Sequence, residues 1–287
     1  MKKVFVAVSL FLFSFMLYSQ DITNSETSQN NILTNSNNEF FDSIEKGDIN
    51  KIRELLKQGT DVNGTNSEGW SALHVAVKAN NTAVLKELLS QKWIDMNPVL
   101  PVDTILMDGD NKWYADGQTP LLLASYYGYA DIVNMLLSYG ADVLAKDSID
   151  DAMAVHIASA RGNANVVSVI LDSSAARSAG IDIVNVGDNT GTTPLMWASM
   201  NNQVTVISAL IKFKADVNFQ DDDGWTALHF AAASDSYRAV EILLKNKADA
   251  NIADIEGKKP VDITTDTDIK ELLNKYTSAE TENNTEE

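Results

Sequence analysis

Three histidines, His74, His156 and His229, are the side chains of this 287-residue chain that titrate nearest neutral pH, because it has no cysteine. A catalytic histidine needs a nucleophile or substrate within hydrogen-bond reach, and a metal needs several ligands converging on one point. Carboxylates are abundant, notably Asp221-Asp222-Asp223. Calcium takes six to eight oxygens, and the best-spaced run, Asp108-Gly109-Asp110-Asn111, lacks the bidentate Glu of an EF-hand. These acids therefore read as solvated turn residues. The absence of cysteine removes thiol catalysis, thiol redox chemistry and Cys-ligated zinc. There is no phosphate-cradling glycine loop, no G-x-S-x-G and no H-E-x-x-H. The sequence holds no catalytic constellation, so no enzyme activity, cofactor or metal is expected.

The elements that would position these groups repeat. Gly224 to Asn251 reads GWTALHFAAASDSYRAVEILLKNKADAN. Thr226 can cap a helix through its hydroxyl, and Leu228, Ala231 and Ala232 form one apolar face. A second helix sets Val240, Leu243 and Leu244 on one side before a turn. The block at Thr226 recurs at Ser71-Ala72-Leu73-His74, Thr119-Pro120-Leu121-Leu122, Met153-Ala154-Val155-His156, Thr193-Pro194-Leu195-Met196 and Lys259-Pro260-Val261-Asp262. The period is about 33 residues, with insertions in three repeats, and stepping back from Ser71 reaches an opening copy at Asn38. Each histidine occupies the same slot of its copy.

With Thr-Pro-Leu-His, Ala-Ala, Leu-Leu and Gly-Ala-Asp-Val-Asn elements in register, residues 39–276 resemble an ankyrin-repeat protein. The resemblance implies an all-α repeat solenoid: an ankyrin stack of helix-turn-helix units with β-hairpin fingers, about seven repeats including degenerate caps. It implies structural histidines that bond helix to turn. His156, which lacks a Thr partner, fits that role least well. It also implies a concave face of finger tips and first helices that binds a protein. Carried over residue by residue, that face holds Trp70 and Lys78, then Trp113, Gln118, Tyr126 and Tyr127. Arg161, Thr192, Met200, Asp222, Asp223 and Trp225 complete it. Tyr126 and Tyr127 beside Trp113 form the densest candidate hot spot, since Tyr, Trp and Arg dominate such spots. Trp70 and Trp225 fit equally well as packing between fingers.

The largest departure from the period is Pro98 to Asp116 (98–116), where Pro98 and Pro101 stop a helix and Asp108-Gly109 marks a hairpin turn. It reads as an elongated finger. The fourth repeat is the most degraded, with Asp151 in place of its turn glycine and Asp172 to Gly180 lengthening its exit. Asn202 and Asp235 replace inter-helix glycines, and both tolerate a left-handed backbone.

Residues 1–20 read as a secretory signal peptide, with Lys2 and Lys3 ahead of the apolar run Val4 to Leu17 and Ser19 near the cleavage zone. A retained anchor is the alternative, although the run is short for a span. No Cys follows it, which excludes a lipoprotein anchor. Residues 21–38 read as a flexible polar linker and 277–287 as a disordered acidic tail. The net charge of -18 argues against nucleic acid and anionic membrane surfaces.

The expectation is a monomeric, non-catalytic scaffold of a bacterial exported type. It would be periplasmic or extracellular, without stable membrane insertion after signal cleavage, and would bind a basic or neutral protein partner. The alternatives are a small-ligand-binding protein or enzyme using a pocket of the 98–116 insertion, and a secreted effector acting on host proteins.

Overall fold

The computed structural model describes residues 36–108 and 111–283. The signal-peptide segment and most of the linker lie outside the described residues. Seven helix pairs follow one another. They are α1 (residues 36–46) with α2 (Ile49–Lys57), α3 (Ala72–Lys78) with α4 (Thr82–Leu89), and α5 (Pro120–Tyr127) with α6 (Ala130–Ser138). Next come α7 (Ala154–Ala160) with α8 (Ala164–Asp172), followed by the short α9 (Ser174–Ser178). The last three pairs are α10 (Pro194–Met200) with α11 (Val204–Lys212), α12 (Ala227–Ala233) with α13 (Tyr237–Lys245), and α14 (Pro260–Ile263) with α15 (Thr267–Asn283).

First helices pack on first helices from α3 through α5, α7, α10 and α12 to α14, and second helices form a parallel layer behind them. The reason lies in the side chains. The first helices are short and almost wholly apolar, as in Pro120–Tyr127, so they can be buried on both flanks. The second helices are amphipathic and keep one face in water. A continuous core of Leu, Val, Ile and Ala results, and stacking supplies the burial that no single pair could reach.

Left-handed backbone positions recur at three places in the repeat. Gly47, Asn80, Gly128, Gly162, Asn202 and Asp235 turn between the paired helices, with φ from 46° to 78°. Gly59, Trp93, Gly140, Lys214 and Lys247 end second helices, and Gly69, Gly117, Asp151, Gly191, Gly224 and Gly257 turn the fingers. Asn and Asp accept this conformation through local hydrogen bonding, whereas Lys does not, and a β-carbon there costs about 1 kcal/mol. Lys214→Gly and Lys247→Gly should therefore each raise stability by about 1 kcal/mol, read as a higher urea midpoint. An unchanged midpoint in both would mean the positions carry no strain.

The finger turns share a second device. Asn66, Asp147, Asp188, Asp221 and Asp254 each accept backbone N–H groups of their own turn through one side-chain oxygen. Neighbouring fingers then bond backbone to backbone, from Ser148 to Asp116, Asn189 to Asp150, Asp222 to Thr190 and Ile255 to Asp223. At the other end of the repeat, Asn63, Asn97, Asn185 and Asn218 each accept an N–H from the next repeat. Leu144 stands in that slot of the third repeat and cannot make the bond.

The structure amends the sequence reading at the edges. Helix α1 already covers residues 36–38, so the linker ends sooner than 38. Helix α15 reaches Asn283, past the 276 boundary, across residues with no Gly or Pro to stop it. Thr226 caps differently from expectation. Its hydroxyl bonds His229 Nδ1 at 2.8 Å rather than a backbone N–H. Among the described residues no helix is long and apolar enough to cross a membrane.

Candidate functional site

The histidines are fully buried pins between repeats. His156 Nδ1 accepts the Met153 N–H at 3.1 Å, and its Nε2–H donates to the Val186 carbonyl of the next repeat at 2.9 Å. His74 receives the Ser71 hydroxyl at 2.8 Å and donates to the Gln118 carbonyl at 2.9 Å. His229 receives Thr226 N–H at 3.0 Å and donates to the Lys258 carbonyl at 3.2 Å. Each carbonyl demands Nε2–H, which fixes the neutral tautomer. The missing Thr at Met153 is replaced by its own backbone N–H, so His156 keeps the shared role. Desolvation pushes the pKa of His74 and His156 down to about 4 and lowers that of His229. Both ring nitrogens are occupied and water is excluded, so none can act as a surface base.

The 98–116 insertion is an elongated finger. Leu100 and Gln118 exchange the bond that closes a normal finger, as Gly117 and Leu100 do, with residues 101–116 placed inside that turn. Within it β1 (Ile105–Asp108) and β2 (Asn111–Tyr114) pair antiparallel, Leu106 opposite Trp113 and Asp108 opposite Asn111. Asp116 accepts the Thr104 N–H at 3.0 Å and ties the base. Leu106 and Trp113 face inward. Trp113 lies flat on Tyr126, with centroids 3.6 Å apart and planes 5° from parallel. Arg161 sits 4.3 Å from the same ring, and with Trp113 filling one face the guanidinium must take the other. Tyr127 meets Tyr126 edge-on and stacks on Tyr129, both at 5.4 Å.

The hairpin divides the finger face into two grooves. One, of about 430 Å³, lies between Trp70 and β1. Its floor carries Lys78 over the Trp70 ring at 4.6 Å. The other, of about 460 Å³, lies between β2 and the fourth and fifth repeats, lined by Trp113, Tyr114, Ile149, Asp150, Ile157 and Trp197. It continues past Trp197 to Asp188 and Met200. A third, of about 530 Å³, opens beside Trp225 and Asp223 at the C-terminal end.

In the second groove, burial and the neighbouring Asp147 and Asp188 push the Asp150 carboxyl up. Burial opposes the Asp188 charge, but donors from Thr190, Trp197 and Thr192 hold its carboxyl below the usual range. Trp197 Nε1–H donates to Asp188 at 2.8 Å. Among the described residues no group of His or acids has metal-holding geometry.

The twelve candidate residues separate. Lys78, Arg161, Met200, Asp222 and Asp223 are exposed on the finger face, and Trp113, Tyr127 and Trp225 are half-buried there. Trp70, Gln118, Thr192 and Tyr126 are buried. Gln118 is 0% exposed and donates to Asp147, so it cannot meet a partner. Thr192 lies under the finger turn and bonds Thr190. Trp70 packs edge-on to His74 in the first helix of its own repeat. Tyr126, 6% exposed, is a platform for the hairpin rather than a contact. Sequence reasoning missed Trp197, Tyr114, Ile149 and Asp150. Trp197 occupies a helix position that is Ile157 or Phe230 in neighbouring copies, so it passed for core.

Comparison with known proteins agrees with this geometry. The family described as ankyrin repeats (3 copies) matches residues 40–147 and 155–254. The chain is 32% identical over 181 residues to a putative E3 ubiquitin-protein ligase XBAT31 of Arabidopsis thaliana, covering 60% of this chain and 36% of that protein. It is 27% identical over 202 residues to the palmitoyltransferase AKR1 of Debaryomyces hansenii, covering 69% and 23%. The chain thus spans little more than a third, or less, of these relatives' length. Among solved structures it resembles the human ASB11 ankyrin repeat domain, with TM-score 0.65, 23% identity, and 83% and 96% of the two chains covered. It also resembles the ankyrin repeat domain of Bcl-3, with TM-score 0.67, 21% identity, and 82% and 97% covered. With the family matched over most of the stack and its helix pairs, fingers and histidine pins in place, the chain belongs to the ankyrin-repeat family.

Proposed function

We infer that this protein is a non-catalytic scaffold that holds a protein partner against its finger face. The observation that carries this reading is the open groove floored by Trp197 and walled by Trp113 and Tyr114. It offers large aromatic area with a margin that sets Asp147 and Asp150 beside Lys112 and Arg161. Asp188 already accepts donors from Thr190, Thr192 and Trp197, which hold its carboxyl below the usual range and suit it poorly to taking up a proton. A small-ligand site in the same groove draws support only from its size. The charge of -18 favours a basic or neutral partner and would speed its encounter more than tighten its grip. Export through residues 1–20, to the periplasm or beyond the cell, belongs to the same proposal, as does a monomeric state. An effector acting on host proteins would differ in destination and not in mechanism.

The test is capture of partners from a periplasmic extract by mature protein carrying Trp197→Ala. Loss of a hot-spot aromatic should weaken capture at least about 30-fold, the equivalent of roughly 2 kcal/mol. Trp93→Ala is the control, since Trp93 is 81% exposed in the turn after α4 and lines none of the grooves described above. Equal capture by both variants would refute the groove as the binding surface.

A further inference from the structure

We propose that the β2 edge of the hairpin is a docking strand, on which an extended segment of a partner protein adds as a third strand and sends a Lys or Arg side chain into the Trp197 groove. This rests on the scaffold reading and specifies its partner chemistry. The hydrogen-bond pattern carries the first half. Ala115 N–H donates to the Thr104 carbonyl at 2.8 Å, so that pair is of the bonded kind. In an antiparallel ladder bonded and non-bonded pairs alternate. The Ile105–Tyr114 and Met107–Lys112 pairs are therefore non-bonded, and the backbone groups of Lys112 and Tyr114 point away from β1. Among the described residues the sheet has two strands, so no third strand pairs with that edge. Native proteins usually blunt or cover exposed edges, and uncovered ones accept added strands.

The choice of edge follows from its surroundings. On the β1 side the groove of about 430 Å³ narrows at its base, where a β-carbon on Gly69 would lie 2.5 Å from the Pro101 ring. On the β2 side the space is the groove of about 460 Å³ itself. Asp147 and Asp150 line this groove beside Lys112 and Arg161, the latter placed over the Tyr126 ring, and Asp188 on its continuation and the chain's charge of -18 tip the choice toward a basic occupant. In a third strand, residues beside Trp113 point down toward Ile157 and Trp197, with Asp150 at the margin. A Lys or Arg can lay its aliphatic stem along the indole and present its cation to Asp150. Residues beside Lys112 and Tyr114 point outward, where Ile105, Met107 and Tyr114 already make an exposed apolar surface that favours β-branched neighbours.

A random-peptide phage library selected on the mature protein provides the probe, and a synthetic peptide of the selected sequence the measurements. Selected sequences should place a basic residue among β-branched ones. Tyr114→Pro removes the outward N–H without touching a ladder bond, since proline is tolerated on edge strands. It should weaken peptide affinity at least about tenfold, while Tyr114→Val, which keeps the N–H, stays within about threefold. Bound peptide should slow amide exchange at Lys112 and Tyr114 by at least about tenfold. Changing the peptide's basic residue to Glu, or Asp150→Asn in the protein, should each weaken binding.

Peptides that bind through Trp197 but ignore Tyr114→Pro would overturn strand addition and leave the scaffold reading standing. Peptides indifferent to Trp197→Ala and Tyr114→Pro alike would overturn both. A doubling of mass with concentration that Tyr114→Pro abolishes would make the edge a contact between copies and overturn the proposal. So would loss of peptide binding when residues 1–20 are restored, which would make that segment the occupant.

Discussion

Lowering the pH from 7 toward 4 should strip this protein of several kcal/mol of stability through its buried histidines. His74 and His156 have folded pKa values of about 4, against an unfolded value near 6.5. The folded state holds both rings neutral through that window, while the unfolded chain protonates them. Their contribution is therefore complete above pH 6.5 and declines as the pH falls to 4. Each histidine adds a slope of roughly 1.4 kcal/mol per pH unit. Together they could remove on the order of 5 kcal/mol, against a total of about 5–15 for a typical domain. His229, also lowered by burial, acts in the same sense. Asp150 and Asp221 work oppositely, because burial raises their carboxyls and protonation suits their folded environment. They titrate nearer the carboxylate range and so only soften the lower end. Urea midpoints measured at several pH values should shift downward steadily below pH 6.5. His156→Gln should lower stability throughout and flatten the slope by about 1.4 kcal/mol per pH unit. A wild-type midpoint unchanged between pH 7 and 5 would remove the histidine pins from the account.

The same pins explain why so much of the fold was readable and part of the surface was not. A buried polar ring must find partners at fixed offsets, so His74, His156 and His229 recur in one slot, and their spacing announces the stack. The Asx device of the fingers and the left-handed turns likewise need particular residue types. Asn202 and Asp235 could be placed because few residues tolerate positive φ. Exposure obeys no such local rule. Gln118 and Thr192 sit at family contact positions, yet the enlarged third finger and the Asp188 turn enclose them. Trp197 was invisible for the converse reason: a tryptophan at a helix position filled by other large apolar residues, Ile157 and Phe230, does not stand out. Only the gap left beside the hairpin opens it to solvent. Tyr126 shows the limit most clearly. Composition identifies an aromatic cluster, but whether its rings face a partner or one another depends on where a long insertion folds back.

That dependence makes the Trp113–Tyr126 stack the most consequential single contact of the finger face. Apart from the tie at its base, the hairpin is held down by Leu106 and Trp113. Trp113 contributes a large ring surface, and aromatic stacking adds about 0.5–1.5 kcal/mol beyond area burial. Trp113→Ala should cost about 3 kcal/mol locally, at the low end for a large aromatic because the ring is only half-buried. The loss should not spread to the whole stack, since two-stranded hairpins have little stability of their own and repeat neighbours keep their own interfaces. The expected result is a protein that unfolds globally near the wild-type midpoint but loses exchange protection at Ala115 and along β1 and β2. Proteolysis should become faster within 101–116. Tyr126→Ala should do the same and cost more, because the ring is buried and also carries Arg161. Tyr126→Phe, which keeps the ring, should restore protection. If Trp113→Ala left the hairpin amides as protected as before, the stack would not be what holds it. If both variants lowered the global midpoint together, the finger would be part of the cooperative core rather than a wall fastened to it. Because that wall bounds both central grooves, partner capture should fail in Trp113→Ala even though none of the other groove-lining side chains has been changed.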